Sequence, residues 1–337
     1  MAVYTHLGAG QLAALIAEYD VGTLISAKGI AEGVSNSNWL VETTGSAGRL
    51  ESDGGERFIL TMYERRIELS DLPFFLGLLD HLAAKGCPVP RTIHDRQGAA
   101  FRMIDDKAVA LIEFLPGVSI DYPEAAQARS VGKALAGIHL ASADFDVSRK
   151  NGLSLLGWRD LAEICGEQGL AQIDPALPEM VRDELAYLAD HWPKDLPRSV
   201  IHADLFPDNV LMMGDDVSGL IDFYFACTDI TAYDLAVTHA AWCFDAQGRG
   251  FRPDIGTALL EGYESIRPLS EDERTALPVL ARGGSLRFLL TRAEDWLHTP
   301  DDALVTRKDP LAFARRLSFY AERGGASFAP HPHPELP

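Results

Sequence analysis

The chain has 337 residues, 47% apolar and 23% charged, which is the composition of an ordinary globular protein long enough to build two lobes. Its 49 acids outweigh 30 bases for a net charge of −19, so nucleic acid and anionic membrane are excluded as partners, because both select basic surface. Cys87, Cys165, Cys227 and Cys243 stand far apart with no C-x-x-C pair, and no basic leader or membrane-length apolar run is evident. The expectation is a soluble, cytoplasmic protein with reduced thiols.

Residues 7–19 read as a helix with Leu12, Leu15 and Ile16 on one face. Gly8, Ala9, Gly10 and Gln11 imitate a dinucleotide fingerprint, but no strand precedes them, so a glycine-rich helix cap is expected. Short strands follow around Leu24-Ile25, Trp39-Leu40-Val41 and residues 58–63. The segment between the first two carries Gly33, Ser35, Asn36, Ser37 and Asn38. Small residues between antiparallel strands can drape backbone N–H groups over phosphates, although a plain hairpin turn fits equally well. No Walker loop is present.

Residues 71–85 form an amphipathic pattern with Leu72, Phe75, Leu79 and Leu82 at helical spacing, stopped by Gly86. Residues 99–104 and 108–114 suggest another hairpin, and Pro116-Gly117 is a natural joint. Beyond it the periodicity turns helical over 123–142, with Val131, Leu135, Ile138 and a core-facing His139, and over 178–192. Asp234 opens an apolar helix, either as an acid favouring the helix dipole by about 0.3–1 kcal/mol or as a hydrogen-bond partner of the loop described next. The last third holds further helices, whose Arg287, Arg292 and Asp295 are expected to be solvated or structural, with one or two within reach of an acceptor. The prediction is an α+β chain: a small antiparallel-sheet lobe (1–116), a larger helical lobe (117–325), a cleft, and a disordered tail (326–337) holding His331 and His333.

The densest chemistry lies in residues 200–226. A short apolar lead-in, Val200-Ile201, runs into a polar loop, His202-Ala203-Asp204-Leu205-Phe206-Pro207-Asp208-Asn209. A hairpin then follows, with strands expected at 210–213 and 220–223. Burying charge between apolar strands costs several kcal/mol unless the charge is paired or metal-bound. Asp204, Asn209 and Asp222 could therefore converge, and hard oxygen donors of this kind suit Mg²⁺ with substrate phosphate. The pattern H-x-D-x-x-x-x-N followed by D-F is that of a phosphotransferase catalytic loop. Read this way, Asp204 accepts the proton of an attacking hydroxyl, Asn209 and Asp222 hold the metal, and His202 braces the loop from beneath.

These segments together resemble the aminoglycoside-phosphotransferase branch of the protein-kinase-like fold. They are 29–38, the Glu113-Phe114-Leu115-Pro116-Gly117 joint, the His202-to-Asn209 loop and Asp222-Phe223. Residues 59–64 and 71–75 look like those of the kinase-like bacterial homoserine kinases. The resemblance implies a protein-kinase-like two-lobed fold, ATP and Mg²⁺ as cofactors, and L-homoserine as phosphoryl acceptor. It further implies that the backbone of Glu113 and Leu115 binds adenine and that Gly33, Ser35, Asn36, Ser37 and Asn38 cover the phosphates. One departure stands out: Thr61 occupies the third-strand position where kinases place lysine, and Gly77 falls near the expected glutamate. Arg65 and Arg66 are candidate substitutes for the missing cation. A choline, aminoglycoside or sugar kinase of the same branch is the nearest alternative, and a catalytically silent nucleotide-binding regulator a more distant one. A metal hydrolase would need an H-E-x-x-H or H-x-H pattern outside the tail, and there is none.

Overall fold

The computed structural model describes residues 7–30, 36–46, 55–64, 68–299 and 307–330. Gly33, Ser35, Arg65, Arg66, His331 and His333 lie outside the described residues. The chain divides into two compact units, Met1–Pro116 and Gly117–Pro337. Among the described residues no helix is long and apolar enough to cross a membrane.

The first unit is an antiparallel sheet with two helices. Helix α1 (Ala9–Ile16) is capped by Gly8, whose N–H donates to Gln11 Oε1 at 3.0 Å, so the glycines cap a helix as expected. Strands β1 (Leu24–Ile30), β2 (Asn36–Thr43), β3 (Glu56–Tyr63), β4 (Thr92–Ile93), β5 (Arg102–Ile104) and β6 (Lys107–Glu113) lie in the order β1-β2-β3-β6-β4, with β5 on β6. Helix α2 (Leu72–Ala84) begins with Pro73 in its first turn and buries Leu72, Phe75, Leu79 and Leu82.

Period-two alternation gives this sheet two distinct faces. Trp39, Val41, Phe58, Leu60 and Met62 form one core with Leu12, Leu15 and Ile16 of α1. The opposite face carries a row of register partners, Asn38, Thr61 and Ala110, across β2, β3 and β6. Lys107 pairs with Glu64, which also accepts from Ser37 Oγ at 2.8 Å. Glu64 is three residues beyond Thr61, so by alternation this ion pair belongs to the other face from Thr61.

The second unit is mainly helical: α3 (Ala125–Ala141), α4 (Leu155–Ile173), α5 (Leu177–His191), α6 (Thr231–Trp242), α7 (Pro253–Glu264), α8 (Glu271–His298) and α9 (Leu311–Arg323). Helices α3 and α7 cross in close contact. A Cβ on Gly132 would lie 2.1 Å from Leu259 O, and one on Gly262 2.1 Å from Arg129 O, so only glycine permits the approach.

Three features differ from the sequence reading. Helix α4 was not expected: Gly166 (φ 64°) kinks it and it buries only Trp158, Cys165 and Leu170, too few to show a periodic stripe. The hairpin is β8 (Val210–Met213) with β9 (Asp216–Leu220), so its second strand stops two residues before Asp222. The lead-in instead pairs onward, β7 (Arg198–Ile201) with β10 (Cys227–Ile230). Where the expected tail (326–337) begins, the 3-10 turn Gly324–Phe328 runs into it, with Ser327 buried and Phe328 stacked on Tyr320 at 5.8 Å between ring centroids. That aromatic contact orders the segment.

Candidate active site

The polar loop leaves β7 at Ile201 and enters β8 at Val210, with Pro207–Asn209 forming a 3-10 turn between. Its backbone is held at successive peptide groups. The Asp234 carboxylate accepts the N–H of His202 at 2.6 Å and of Ala203 at 2.7 Å. Arg287 donates Nη1 to the Ala203 carbonyl, Asn209 donates Nδ2 to Asp204 O at 2.8 Å, and Trp242 donates Nε1 to Leu205 O at 2.9 Å. This clamp explains how Ala203 keeps a left-handed backbone (φ 65°), a conformation costing an L-residue roughly 1–2 kcal/mol.

His202 is fully buried beneath the loop. Its Nδ1 accepts the N–H of Asp204 at 3.2 Å, which leaves the proton on Nε2 to donate to Ile221 O at 3.0 Å. Burial pushes the imidazole below its ordinary pKa, so it serves as a neutral tie between the loop and the segment leading to Asp222.

From sequence, Asp234 fits either a helix cap or a partner of the loop. It sits in the first turn of α6, which starts at Thr231, and makes no cap. Both carboxylate oxygens are spent on the loop, and Oδ2 is also 2.9 Å from His139 Nε2. His139 passes the network to Tyr263 Oη at 2.8 Å, and Tyr263 meets Arg267, which is paired with Glu273 at 2.7 Å. Burial raises the Asp234 carboxyl, but the hydrogen bonds from His139 and the loop N–H groups outweigh it and hold the group below the usual carboxylate range. His139 is core-facing, as read from its helix.

Asp204 is mostly covered, and its surroundings divide. Burial drives its carboxyl up to about 7, Arg287 opposes this from 3.8 Å, and the nearby charges of Asp222 and Asp208 add to the rise. Asn209 Nδ2 also lies 3.3 Å from Asp204 Oδ2. Asp222 is reached through a second left-handed residue position (φ 64°) just past β9, and Ile221 N–H donates to Asn209 O at 3.0 Å. The two segments carrying the amide and the carboxylate are thus joined by backbone. Asp222 is exposed at its edge, yet surrounding protein lifts its carboxyl to about 6, with Asp208 contributing.

The donor chemistry fits a hard divalent cation. Asn209 Nδ2 is committed to Asp204, so its remaining polar atom, Oδ1, is the one that can meet a metal, and Asp222, one residue past the Ile221 N–H that bonds Asn209 O, offers a carboxylate of the same hard-oxygen kind. Among the described residues no cluster of three His, Cys, Asp or Glu is placed to hold a metal. In the sequence Arg287 is only one charge in a helical run. It is buried against the loop, with its Nη2 toward Asp204.

In the first unit, Asn36, Ser37 and Asn38 stand at the start of β2, and Thr61 is buried in mid-β3. Glu113 closes β6 with its carboxylate on Arg91 at 3.1 Å and its N–H on Arg91 O at 2.9 Å. Leu115 lies beyond the last β6 pair, so its amide is outside the sheet ladder.

A model described as the phosphotransferase enzyme family matches residues 26–269. A homoserine kinase of Rhizobium rhizogenes is 51% identical over 322 residues, covering 96% of this chain and 97% of the relative. One of Agrobacterium fabrum is 51% identical over 95% of this chain and 96% of its own length. Among solved structures, spectinomycin phosphotransferase bound to ADP and spectinomycin aligns with a TM-score of 0.70, covering 96% of this chain and all of that one at 16% identity. An amicoumacin kinase with AMP-PNP and Ca²⁺ gives 0.66 over 94% of each chain at 13% identity. The solved structures share the fold, and the family match over most of the chain makes this a phosphotransferase. With relatives this similar along nearly its whole length, the chain belongs to the phosphotransferase enzyme family and, within it, to the homoserine kinases.

Proposed function

We propose that the protein transfers the γ-phosphoryl group of ATP to the side-chain hydroxyl of L-homoserine, giving O-phospho-L-homoserine for threonine biosynthesis. The chemistry rests on one observation: the loop's peptide groups are gripped by Asp234, Arg287, Trp242 and Asn209, which positions the Asp204 carboxylate at a fixed point. Relatives at 51% identity carry the choice of acceptor. Asp204 accepts the proton of the attacking hydroxyl, within hydrogen-bond reach of it. Asn209 Oδ1 and Asp222 hold Mg²⁺, which when bound supplies positive charge for the triphosphate. His202 and Asp234 keep the loop in register, so the ordering cost is met during folding and not at each turnover.

Residues 1–116 supply the nucleotide contacts: Gly33, Ser35, Asn36, Ser37 and Asn38 toward the phosphates, Thr61 on the sheet face, and the backbone of Glu113 and Leu115 toward adenine. Because the Glu113 N–H is held by Arg91, its carbonyl and the Leu115 amide are the groups left for the base. Residues 117–325 supply catalysis and acceptor binding.

An ADP-release assay over a panel of hydroxyl compounds tests the substrate. L-homoserine gives the highest kcat/KM, and the product carries phosphate on the side-chain oxygen by ³¹P NMR. Choline, a sugar or an aminoglycoside turned over in preference would replace this reading with another kinase of the branch. The metal assignment has a separate test in thermal melts. Mg²⁺ raises the melting temperature of the wild type saturably. Asp222→Asn weakens that apparent affinity by at least roughly 10–100-fold, the loss that follows when a residue merely hydrogen-bonded to a metal ligand is changed. An unchanged titration would remove Asp222 from the metal site.

A further inference from the structure

Behind Asp204 the second unit holds a knot of rings and cations that the catalytic roles do not use. Phe206, two residues past Asp204, meets Phe288 of α8 at 4.9 Å and Phe313 of α9 at 6.0 Å, and those two rings are 5.0 Å apart. Arg292 lies over Phe313 at 4.5 Å, Arg316 over the same ring at 4.5 Å, and Lys308 over Phe206 at 5.8 Å. In so acidic a chain, each cation should be consumed by an acid or a carbonyl. Two of them are: Lys308 pairs with Asp208 at 3.3 Å, and Arg316 donates to the carbonyls of Ala240, Ala312 and Asp245.

Arg292 is the exception. It is half-buried, and among the described residues it makes one hydrogen bond, Nη1 to Asp309 O at 3.2 Å, and no ion pair. A guanidinium has five N–H donors in a planar fork, so most of its donor capacity is open. Burial lowers its pKa to about 10, partly opposed by the charges of Asp309, Asp204 and Asp208. Phe313 fixes the plane of the fork without using its N–H groups.

We propose that Arg292 is the anchor for the α-carboxylate of the amino-acid acceptor, with the Phe206–Phe288–Phe313 wall as the floor beneath it. A carboxylate matches the guanidinium fork bidentately, which a lysine or a neutral group cannot do. An acceptor carrying an α-carboxylate satisfies this residue, whereas a plain amino alcohol leaves it unpaired. The inference rests on homoserine being the substrate, and the experiment separates the two.

The comparison uses L-homoserine against 3-amino-1-propanol, the same molecule without its carboxylate, on wild type, Arg292→Met and Arg292→Lys. Arg292→Met raises KM for homoserine about 10–100-fold, the size of a charge-assisted hydrogen-bond pair. In the same variant kcat changes little, KM for ATP stays put, and the wild-type preference for homoserine over aminopropanol collapses. Arg292→Lys falls between, because it keeps charge and loses the fork, and it also covers a Met variant that fails to fold. An unchanged homoserine KM, or equal losses for both acceptors, overturns the assignment while leaving the homoserine reading intact. Wild type that does not favour homoserine overturns both.

Discussion

Asp204→Asn lowers kcat by about 10²–10⁴-fold, the usual worth of a positioned general base, while the protein keeps or gains thermal stability. The activity side follows from the site: Asn at 204 can still accept from Asn209 Nδ2, so the loop geometry survives, but an amide cannot take up the hydroxyl proton. The stability side follows from linkage. The Asp204 carboxyl is driven up to about 7 by burial, against roughly 3.9 in an unfolded chain. Between those values the folded chain binds a proton the unfolded chain has released, so stability falls as pH rises through the window. At pH 8 the native protein therefore carries an unfavourable charge that Asn does not have. Steady-state kinetics with homoserine and a melt at pH 8 check both halves. Substantial turnover by the variant removes Asp204 from the reaction, and a large drop in melting temperature shows that its loss of activity came from a damaged loop.

What the sequence shows of this site is the part written in local spacing. His202, Asp204 and Asn209 lie within one loop, and their separation reads directly as chemistry because eight residues cannot stray far from one another. The apolar residues flanking them identify the strands on either side. The clamp is not legible. Asp234 acts 32 positions from the backbone it grips, and an acid at the start of a helix looks the same whether it caps that helix or serves another segment. Arg287 meets Ala203 from 84 positions away, through packing that no periodicity reports. Ala203 itself gives no sign of a left-handed backbone, since alanine has no preference for it; the surrounding partners impose it.

The same reasoning explains the misplaced strand. Leu220, Ile221 and Phe223 are apolar and β-compatible, so 220–223 reads as one strand, yet the left-handed turn at Asp222 breaks the alternation that a strand requires. That turn takes Asp222 out of the hairpin ladder, so backbone conformation departs from local propensity at this position. Thr61 is the opposite case. Its position, in register with Asn38 and Ala110, follows from alternation alone, but a threonine on that face names no partner by itself.

Asp234→Ala is expected to be the most damaging single change outside the reacting groups. It strands the His202 and Ala203 N–H groups and leaves His139 without its carboxylate partner, all in fully buried surroundings. Breaking a buried pair from one side costs about 3–5 kcal/mol, and Ala203 is then free to leave its left-handed conformation. Urea denaturation at pH 7.5 reads the first effect. The second appears as a fall in kcat at temperatures where the variant is still folded, with KM for ATP less affected, because the loop carrying Asp204 has lost its reference point. pH dependence distinguishes this carboxylate from a mere space-filler. Its hydrogen bonds hold it below the ordinary value, so its contribution is present above about pH 4 and disappears as pH falls through the folded-state value. The stability gap between wild type and variant should therefore stay constant from pH 8 to about 5 and narrow only in acid. Asp234→Asn recovers the shape but presents an amide N–H₂ to donors, so it should restore little of either effect. If Asn restored both stability and kcat, shape alone would hold the loop, and the charge on Asp234 would have no part in setting Asp204.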